Sequence, residues 1–363
     1  MDNYGQFGGQ TPSQPSPPPP MPFYYPPDYV SPEEKRKIRR NYNSIGITLL
    51  ALYILIFGAC AVSYAIYESL GHPATYNDEG MMVVDFWETF IGEGFPAISA
   101  IIVFICYCIF AKYNPKELFS TQRVNGGEVF KYVLIVLFFQ QVSLICSMLI
   151  MSFLNSYGLE VRGLNYVIVH DPKVYAIDIF SAVILAPIGE ELIYRGVVLR
   201  CAAKVSRRFA IFFSALIFGL MHGNPYQMVL GFLLGIPLGI ITIKTGSIIP
   251  AIICHMANNF IASVTTVIDY YDESLSSVVS IIFIPVFFII GIIVLMTMVL
   301  KGDMKLPEYT EHHRKRTLPI MITSWSMIVI VIFYIIDIIG SIGRIKDVPP
   351  HDAVTEAIKV FLK

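Results

Sequence analysis

Long apolar runs separated by short polar connections cover most of the chain after residue 43. A helix needs about 17–25 predominantly apolar residues to cross the hydrocarbon core of a bilayer. All of the runs but the fifth reach this length, and the fifth ends at the turn-forming sequence Gly223-Asn224-Pro225. The pattern predicts an all-α, polytopic transmembrane bundle of about eight to nine helices, with segments at 44–67, 91–111, 130–154, 175–199, 208–223, 226–243, 247–268, 278–300 and 318–340.

The composition of the 363-residue chain agrees with this pattern. Hydrophobic residues make up 55% and charged residues 15%, whereas soluble domains have about 25% charged residues. The net charge of -1 argues against a nucleic-acid partner. The six cysteines include no CxxC pair and no framework spacing, so the sequence predicts neither a disulfide scaffold nor a thiolate metal site.

The two ends of the chain differ from its apolar middle. The first 43 residues are rich in proline with interleaved aromatic residues, which predicts a disordered or polyproline II tail. Such a tail could bind an SH3- or WW-like partner, although its composition favours a plain solvated tail, since it need not form a packed core. We therefore divide the chain into a Pro-rich cytoplasmic tail (1–43), accessory transmembrane helices (44–119), a core (120–270), further accessory helices (271–340) and a short C-terminal tail (341–363).

Lysine and arginine concentrate in alternate connections between the apolar segments. The connections 68–90 and 269–277 contain neither residue, whereas 301–317 contains five. Short cytoplasmic loops of membrane proteins are enriched in lysine and arginine. The alternation therefore predicts an integral protein of the cell membrane, with a cytoplasmic N-terminus and an external C-terminal tail.

Three ionisable residues interrupt the fourth apolar segment. An ionised side chain at the centre of a membrane helix costs about 2.5–3.5 kcal/mol on insertion scales, so Glu190, Glu191 and Arg195 are expected to pair, to line a wet cavity or to take part in chemistry. Residues four apart share a helix face, which predicts an ion pair between Glu191 and Arg195. Neighbouring residues point about 100° apart. Glu190 is therefore predicted to face a cavity and to act as a base.

Two later segments each carry a histidine four residues from another candidate. His222 follows Phe218, and His255 precedes Asn259. Phe218 could form a wall of a substrate pocket or pack in the core. His255 and Asn259 share a helix face and could offer two hydrogen-bond donors to one point, as an oxyanion hole requires. Together with Glu190, these residues predict one site built from three segments.

The sequences EELIYR, FGLMH and HMANN have the forms EExxxR, FxxxH and HxxxN, on successive membrane segments. In this order they resemble the motifs of the type II CAAX prenyl endopeptidase and bacteriocin-processing family of intramembrane proteases, also called the ABI or CPBP family. The resemblance covers roughly residues 120–270, and no motif residue is missing. It implies a helical intramembrane endopeptidase in which a glutamate and a histidine activate water.

By motif position, the resemblance assigns a role to each candidate. It implies that Glu190 is the general base and His222 its partner in activating water. His255 and Asn259 match the pair that stabilises the oxyanion. The supporting positions are Glu191 and Arg195. The implied substrate is a peptide or protein in or at the lipid bilayer.

Three other interpretations are open on the residues alone. Glu190, His222 and His255 could bind zinc, since two histidines and a carboxylate suit a catalytic zinc site, although the HExxH signature is absent. We expect no cofactor, with zinc as the alternative. The chain could instead be a non-catalytic membrane scaffold or immunity protein, which would tolerate the loss of Glu190. A transporter could also use membrane acids and histidines, but the two halves of the chain show no inverted repeat.

Overall fold

The computed structural model describes residues 31–72, 75–77, 82–121, 125–161, 166–169, 171–204, 206–306 and 319–344. Across these ranges the nine predicted apolar segments fall, in order, on nine helices. They are α1 (Pro32–Ser69), α2 (Phe86–Phe110), α3 (Gly126–Ser156), α4 (172–203), α5 (Arg207–Leu220), α6 (Pro225–Thr245), α7 (Ile249–Tyr271), α8 (Glu273–Leu300) and α9 (Trp325–Gly340). The prediction of an all-α helical bundle is confirmed.

Six helices in the described part of the chain are long and apolar enough to cross a membrane. They are α1, α2, α3, α6, α7 and α8, whereas α9 is apolar but shorter. Such lengths match the hydrocarbon thickness of a bilayer. The chain is an integral membrane protein.

The first helix begins at Pro32 rather than at residue 44. The Ser31 side chain caps it by accepting a hydrogen bond from the backbone N–H of Glu34. Proline at the first helical position and acidic residues in the first turn also favour a helix start here. The disordered tail predicted from the sequence therefore does not extend beyond Ser31. Its residues 1–30, where a partner was expected to bind, and residues 345–363 of the C-terminal tail lie outside the described residues.

Short β-strands link several of the connections between helices. Strand β2 (Met82–Val84) pairs antiparallel with β1 (Thr75–Tyr76) and parallel with β4 (Tyr166–Ile168). Strand β3 (Leu159–Val161) pairs antiparallel with β5 (Ile342–Arg344). The α1–α2 connection therefore pairs with the α3–α4 connection through β2 and β4. The α3–α4 connection also pairs, through β3, with the segment that follows α9.

Helix α4 is the most enclosed helix around the predicted site. Every residue of its segment Leu192–Leu199 is buried. The helix contains two π-helical segments, Phe180–Leu185 and Leu192–Leu199, on either side of the regular segment Ala186–Glu191. π-Helical turns are rare and frequently occur at functional sites. The two adjacent acids are therefore held between two irregular stretches of one helix.

Glycines spaced by four on α6 bring this helix close to α5. A Cβ atom at Gly235 would lie 2.8 Å from the Cα and Cβ atoms of Ala215. A Cβ atom at Gly231 would lie 2.9 Å from Cε1 of His222. Small residues at this spacing let membrane helices approach closely. Helix α6 therefore packs closely against the C-terminal end of α5 and against His222, which follows that end.

Gly235→Val is expected to destabilise the protein by about 1–3 kcal/mol, because the added side chain overlaps the α5 backbone. The matched control is Gly58→Ala in α1, where an added Cβ meets nothing within 4 Å. We expect the control to be neutral or to stabilise the protein by up to about 1 kcal/mol, because alanine favours a helix more than glycine does. Thermal unfolding of the two purified variants measures the difference, and equal midpoints would show that the α5–α6 contact tolerates a side chain.

Candidate active site

Glu191 and Arg195 form a fully buried ion pair one helical turn apart on α4. Arg195 Nη1 lies 2.7 Å from Glu191 Oε1, and both side chains are 0% exposed. The guanidinium also donates from Nη2 to the carbonyl oxygen of Gly235 at 3.4 Å. It lies over the ring of Phe218, 4.6 Å from the centroid. The spacing of four residues thus produces the predicted contact, and α6 and α5 complete the surroundings of the cation.

His255 of α7 lies between the two adjacent acids. Its Nδ1 atom is 3.0 Å from Glu191 Oε1, and its Nε2 atom is 3.6 Å from Glu190 Oε2. Because neighbouring residues on a helix point about 100° apart, the sequence predicts different surroundings for Glu190 and Glu191. The two carboxylates instead approach opposite nitrogens of one imidazole ring, which is wide enough to reach both. Arg195, Glu191, His255 and Glu190 therefore form one continuous chain of contacts.

Asn259 lies one turn after His255 on α7 and contacts the other side of the Glu190 segment. Its Nδ2 atom donates to the carbonyl oxygen of Ala182 at 2.8 Å. That carbonyl belongs to the first π-helical segment of α4. The buried neighbour Asn258 donates from Nδ2 to Asn259 Oδ1 at 3.1 Å. Asn258 thus orients the amide of Asn259.

Phe218 of α5 packs against His222, which lies in the turn directly after α5 ends at Leu220 rather than on the helix itself. The Phe218 ring is 1% exposed, and its centroid lies 5.2 Å from that of His222 and 5.8 Å from that of His255, both in edge-to-face geometry. His222 Nδ1 lies 2.8 Å from the carbonyl oxygen of Phe218. Because a carbonyl oxygen only accepts, Nδ1 carries the proton, which leaves the lone pair of a neutral ring on Nε2. Phe218 therefore separates the rings of the two histidines.

A cavity of about 300 Å³ opens beside Glu190, between α1, α2, α4, α6 and α7. Of the predicted residues, Glu190 and Asn259 line it. Tyr194, Gln227 and Met221 add polar and sulfur atoms to the same wall. Phe218, which was expected as a pocket wall, is not among the described residues that line this cavity, since the side chains around it enclose its ring. Glu190, with a side chain 19% exposed, is thus the acid that meets the cavity, whereas Glu191 is sealed behind it.

Residues 172–261 match the family model described as type II CAAX prenyl endopeptidase, Rce1-like. We call this matched segment, which is about a quarter of the chain, the Rce1-like domain. The resemblance predicted from the three motifs is confirmed over this range. Neither a curated protein nor a solved structure matches the chain. The match supports a protease, in general terms a CAAX-protease-like intramembrane endopeptidase.

The Rce1-like domain begins with α4 and ends within α7, so it contains all seven predicted site residues. The cavity also has walls from outside the domain. Glu93 of α2 lies in the cavity wall, and Asp178 of α4 is buried. Glu93 is not among the residues predicted from the sequence, although an acid inside the apolar segment 91–111 is a signal of the same kind as Glu190.

A metal site was the main alternative use of these residues. Within the described ranges, no group of three or more histidine, cysteine, aspartate or glutamate side chains is placed so that it could hold a metal ion. The potential ligands that do meet are Glu190, Glu191 and His255, and Arg195 occupies one oxygen of Glu191. His222 faces the Phe218 carbonyl with Nδ1. Among the described residues these side chains therefore form a chain of ion-pair and hydrogen-bond contacts.

Proposed function

We propose that the chain hydrolyses a peptide bond of a membrane-associated peptide or protein, with water activated by Glu190 and His222. The observation that carries this proposal is the chain of contacts from buried Arg195 through Glu191 and His255 to Glu190, at the wall of a cavity. Four ionisable groups in an apolar bundle are expensive. In this arrangement Glu191 holds the His255 imidazole next to the Glu190 carboxylate, and Glu190 lines the cavity.

In the proposed reaction Glu190 accepts a proton from water, and the oxygen of that water attacks the peptide carbonyl. The negative charge that develops on the carbonyl oxygen needs hydrogen-bond donors in place beforehand. We assign this role to His255 Nε2–H, 3.6 Å from Glu190 Oε2, and to the second N–H of Asn259 Nδ2, whose first bonds the carbonyl oxygen of Ala182. Of these two residues, Asn259 lines the cavity. The proton held by Glu190 then passes to the leaving amine, which completes hydrolysis and returns the carboxylate.

Glu191 and Arg195 have a supporting role in this proposal. Glu191 accepts a hydrogen bond at Oε1 from His255 Nδ1, which fixes the orientation of the ring. For Nε2 to donate as well, the ring must carry a proton on each nitrogen. Arg195, Glu191, protonated His255 and Glu190 together have no net charge, which is the least costly state in a membrane interior. The ion pair therefore positions His255 without touching the substrate.

His222 is proposed as the second group that contacts the attacking water. The hydrogen bond from Nδ1 to the Phe218 carbonyl fixes the tautomer and leaves Nε2 able to accept a proton. No contact between His222 and Glu190 occurs among the described residues, and the Phe218 ring contacts the rings of both His222 and His255. A water molecule is therefore the expected link between the two catalytic groups.

The test uses purified protein in lipid nanodiscs with a panel of membrane-anchored reporter peptides, with and without a prenyl group. The Glu190→Gln variant, which lacks the proposed base, serves as the inactive control. Cleavage by the wild-type protein that persists in a strong chelator supports the glutamate–histidine mechanism. Loss of cleavage in chelator, restored by zinc, would establish a metalloprotease instead. Failure to cut any peptide, together with full activity of Glu190→Gln in cells, would indicate a scaffold. We retain the cytoplasmic N-terminus as part of the proposal, which protease accessibility of an N-terminal tag would measure.

Asn259→Ala is expected to lower kcat by about 10²–10³-fold with little change in KM, because it removes a donor to the oxyanion. Asn258→Ala is the matched variant. It removes only the group that orients Asn259, so we expect a loss of less than about tenfold. Steady-state kinetics on the best peptide of the panel separates kcat from KM. Equal losses in the two variants would contradict the direct role of Asn259.

A further inference from the structure

A second and larger cavity lies outside the active site, between α1 and the C-terminal half of α2. Its volume is about 1430 Å³. One wall is a stripe of small and apolar residues along α1, at a helical spacing of three and four: Ser44, Ile47, Ala51, Ile54 and Gly58. The facing wall comes from α2, through Ile102, Val103, Cys106 and Phe110. Ile54 is 67% exposed and Phe110 is 85% exposed, so the cavity is an open groove whose long walls are apolar.

One end of this groove is strongly basic. Five cationic side chains from the start of α1 and the end of α4 line it: Arg36, Lys37, Arg39, Arg40 and Lys204. No aspartate or glutamate is found among the described lining residues. Arg39 donates to Thr323 Oγ1 at 3.4 Å, and no described ion pair involves Arg36, Lys37 or Arg40. Among the described lining residues, the basic end of the groove thus contains cationic side chains and no acidic ones.

The two ends of the groove differ in their position along α1. The four cationic lining residues of α1 precede its apolar segment, which is predicted to start at residue 44. The apolar lining extends one residue beyond Gly58. At 1.5 Å per residue, the stretch from Ser44 to Gly58 is roughly 21 Å long. Residues before the apolar segment lie at the level of lipid headgroups, and residues within it lie at the level of the acyl chains. The groove therefore changes from charged to apolar over the same depth at which one leaflet of a bilayer changes from headgroups to acyl chains.

We propose that this groove binds one anionic phospholipid. The phosphate of the headgroup contacts the arginines and lysines of the basic end, and an acyl chain lies along the apolar stripe of α1. Basic pockets between membrane helices bind anionic headgroups by this combination of charge and apolar contact. Arginine suits phosphate because its planar guanidinium donates two parallel hydrogen bonds. The site is separate from the Glu190 cavity and does not depend on the proposed reaction.

The experiment measures lipid bound to the purified full-length protein by native mass spectrometry. Phosphatidylglycerol is titrated against phosphatidylcholine with the same acyl chains. We expect one phosphatidylglycerol molecule to be retained at concentrations where phosphatidylcholine is not. The triple variant Arg36→Gln/Lys37→Gln/Arg40→Gln should weaken this binding at least tenfold. The matched control, Lys131→Gln/Lys301→Gln/Lys305→Gln, removes the same charge from exposed lysines outside the groove and should leave the binding unchanged.

A second variant tests the apolar part of the groove without changing charge. Gly58 lines the groove, and an added Cβ there meets nothing within 4 Å, so Gly58→Leu fills the groove without disturbing the protein. We expect this variant to fold like the wild type and to lose phosphatidylglycerol several-fold. Glycerol 1-phosphate, the headgroup without its chains, should not compete at millimolar concentration. The proposal is overturned by equal retention of both lipids, by equal loss in the control triple variant, or by effective competition from glycerol 1-phosphate, which would indicate a site for free phosphate.

Discussion

Glu190→Gln is expected to lower kcat for peptide hydrolysis by about 10²–10⁴-fold, because an amide cannot accept the proton of the attacking water. Glutamine has nearly the same shape as glutamate and can still meet the imidazole of His255. The thermal unfolding midpoint should therefore stay within a few degrees of the wild-type value. The measurement is single-turnover cleavage of a reporter peptide in nanodiscs, so that product release does not mask the chemical step.

Two comparisons make this prediction specific. Glu128→Gln removes an exposed acid from the first turn of α3, far from the cavity in sequence and structure, and should retain wild-type activity. Glu191→Gln removes the other acid of the pair, which does not line the cavity. We expect it to lose both stability and activity, because His255 and Arg195 then lack their shared anion. Activity of Glu190→Gln within tenfold of the wild type would show that Glu190 is not the base.

The helices could be predicted well because a bilayer imposes one simple requirement on a sequence. Each apolar run must be long enough to cross, and its backbone must bond internally. The runs therefore mark the spans, but they do not mark where a helix starts. At α1 the hydrogen-bond ladder continues outward through EEKRKIRR to Pro32, where Ser31 caps it. Hydrophobicity carries no information about that extension, whereas the capping residues do.

The pairing within the site was predictable where it depended on one regular helix. Glu191 and Arg195 are four residues apart and meet as expected. The arrangement across helices was not predictable, because His255 approaches both acids from α7 and uses a different nitrogen for each. The π-helical turns of α4 also escape a reading based on 100° per residue. No sequence rule places such turns.

The walls of the cavity were predicted only in part. Phe218 shares a helix face with His222, and the two rings do touch, but the spacing cannot tell which side of the ring meets solvent. Glu93 comes from α2, outside the Rce1-like domain, and lies near the start of the apolar segment 91–111, where an acid could as well reach the membrane surface. Long-range packing decides which of these side chains reaches the cavity. That information is carried by the fold rather than by any one motif.

Arg195→Met is expected to destabilise the protein by about 3–5 kcal/mol, the largest effect on stability among these variants. Methionine fills a similar volume, so the loss comes chiefly from charge: Glu191, 0% exposed, keeps its negative charge without the cation that compensates it. The free energy of unfolding in denaturant measures the effect. Arg208→Met, which removes an exposed arginine of α5, is the control and should change stability by less than about 0.5 kcal/mol.

The double variant Glu191→Leu/Arg195→Met separates the stabilising role of the pair from its positioning role. Replacement of a whole buried ion pair by apolar side chains is often neutral or stabilising, so most of the lost stability should return. Activity should not return, because His255 Nδ1 then has no carboxylate to hold the ring toward Glu190. Recovery of both stability and cleavage would show that the ion pair serves packing alone. Recovery of stability without cleavage would show that two costly buried charges persist in this helix because they orient a catalytic imidazole.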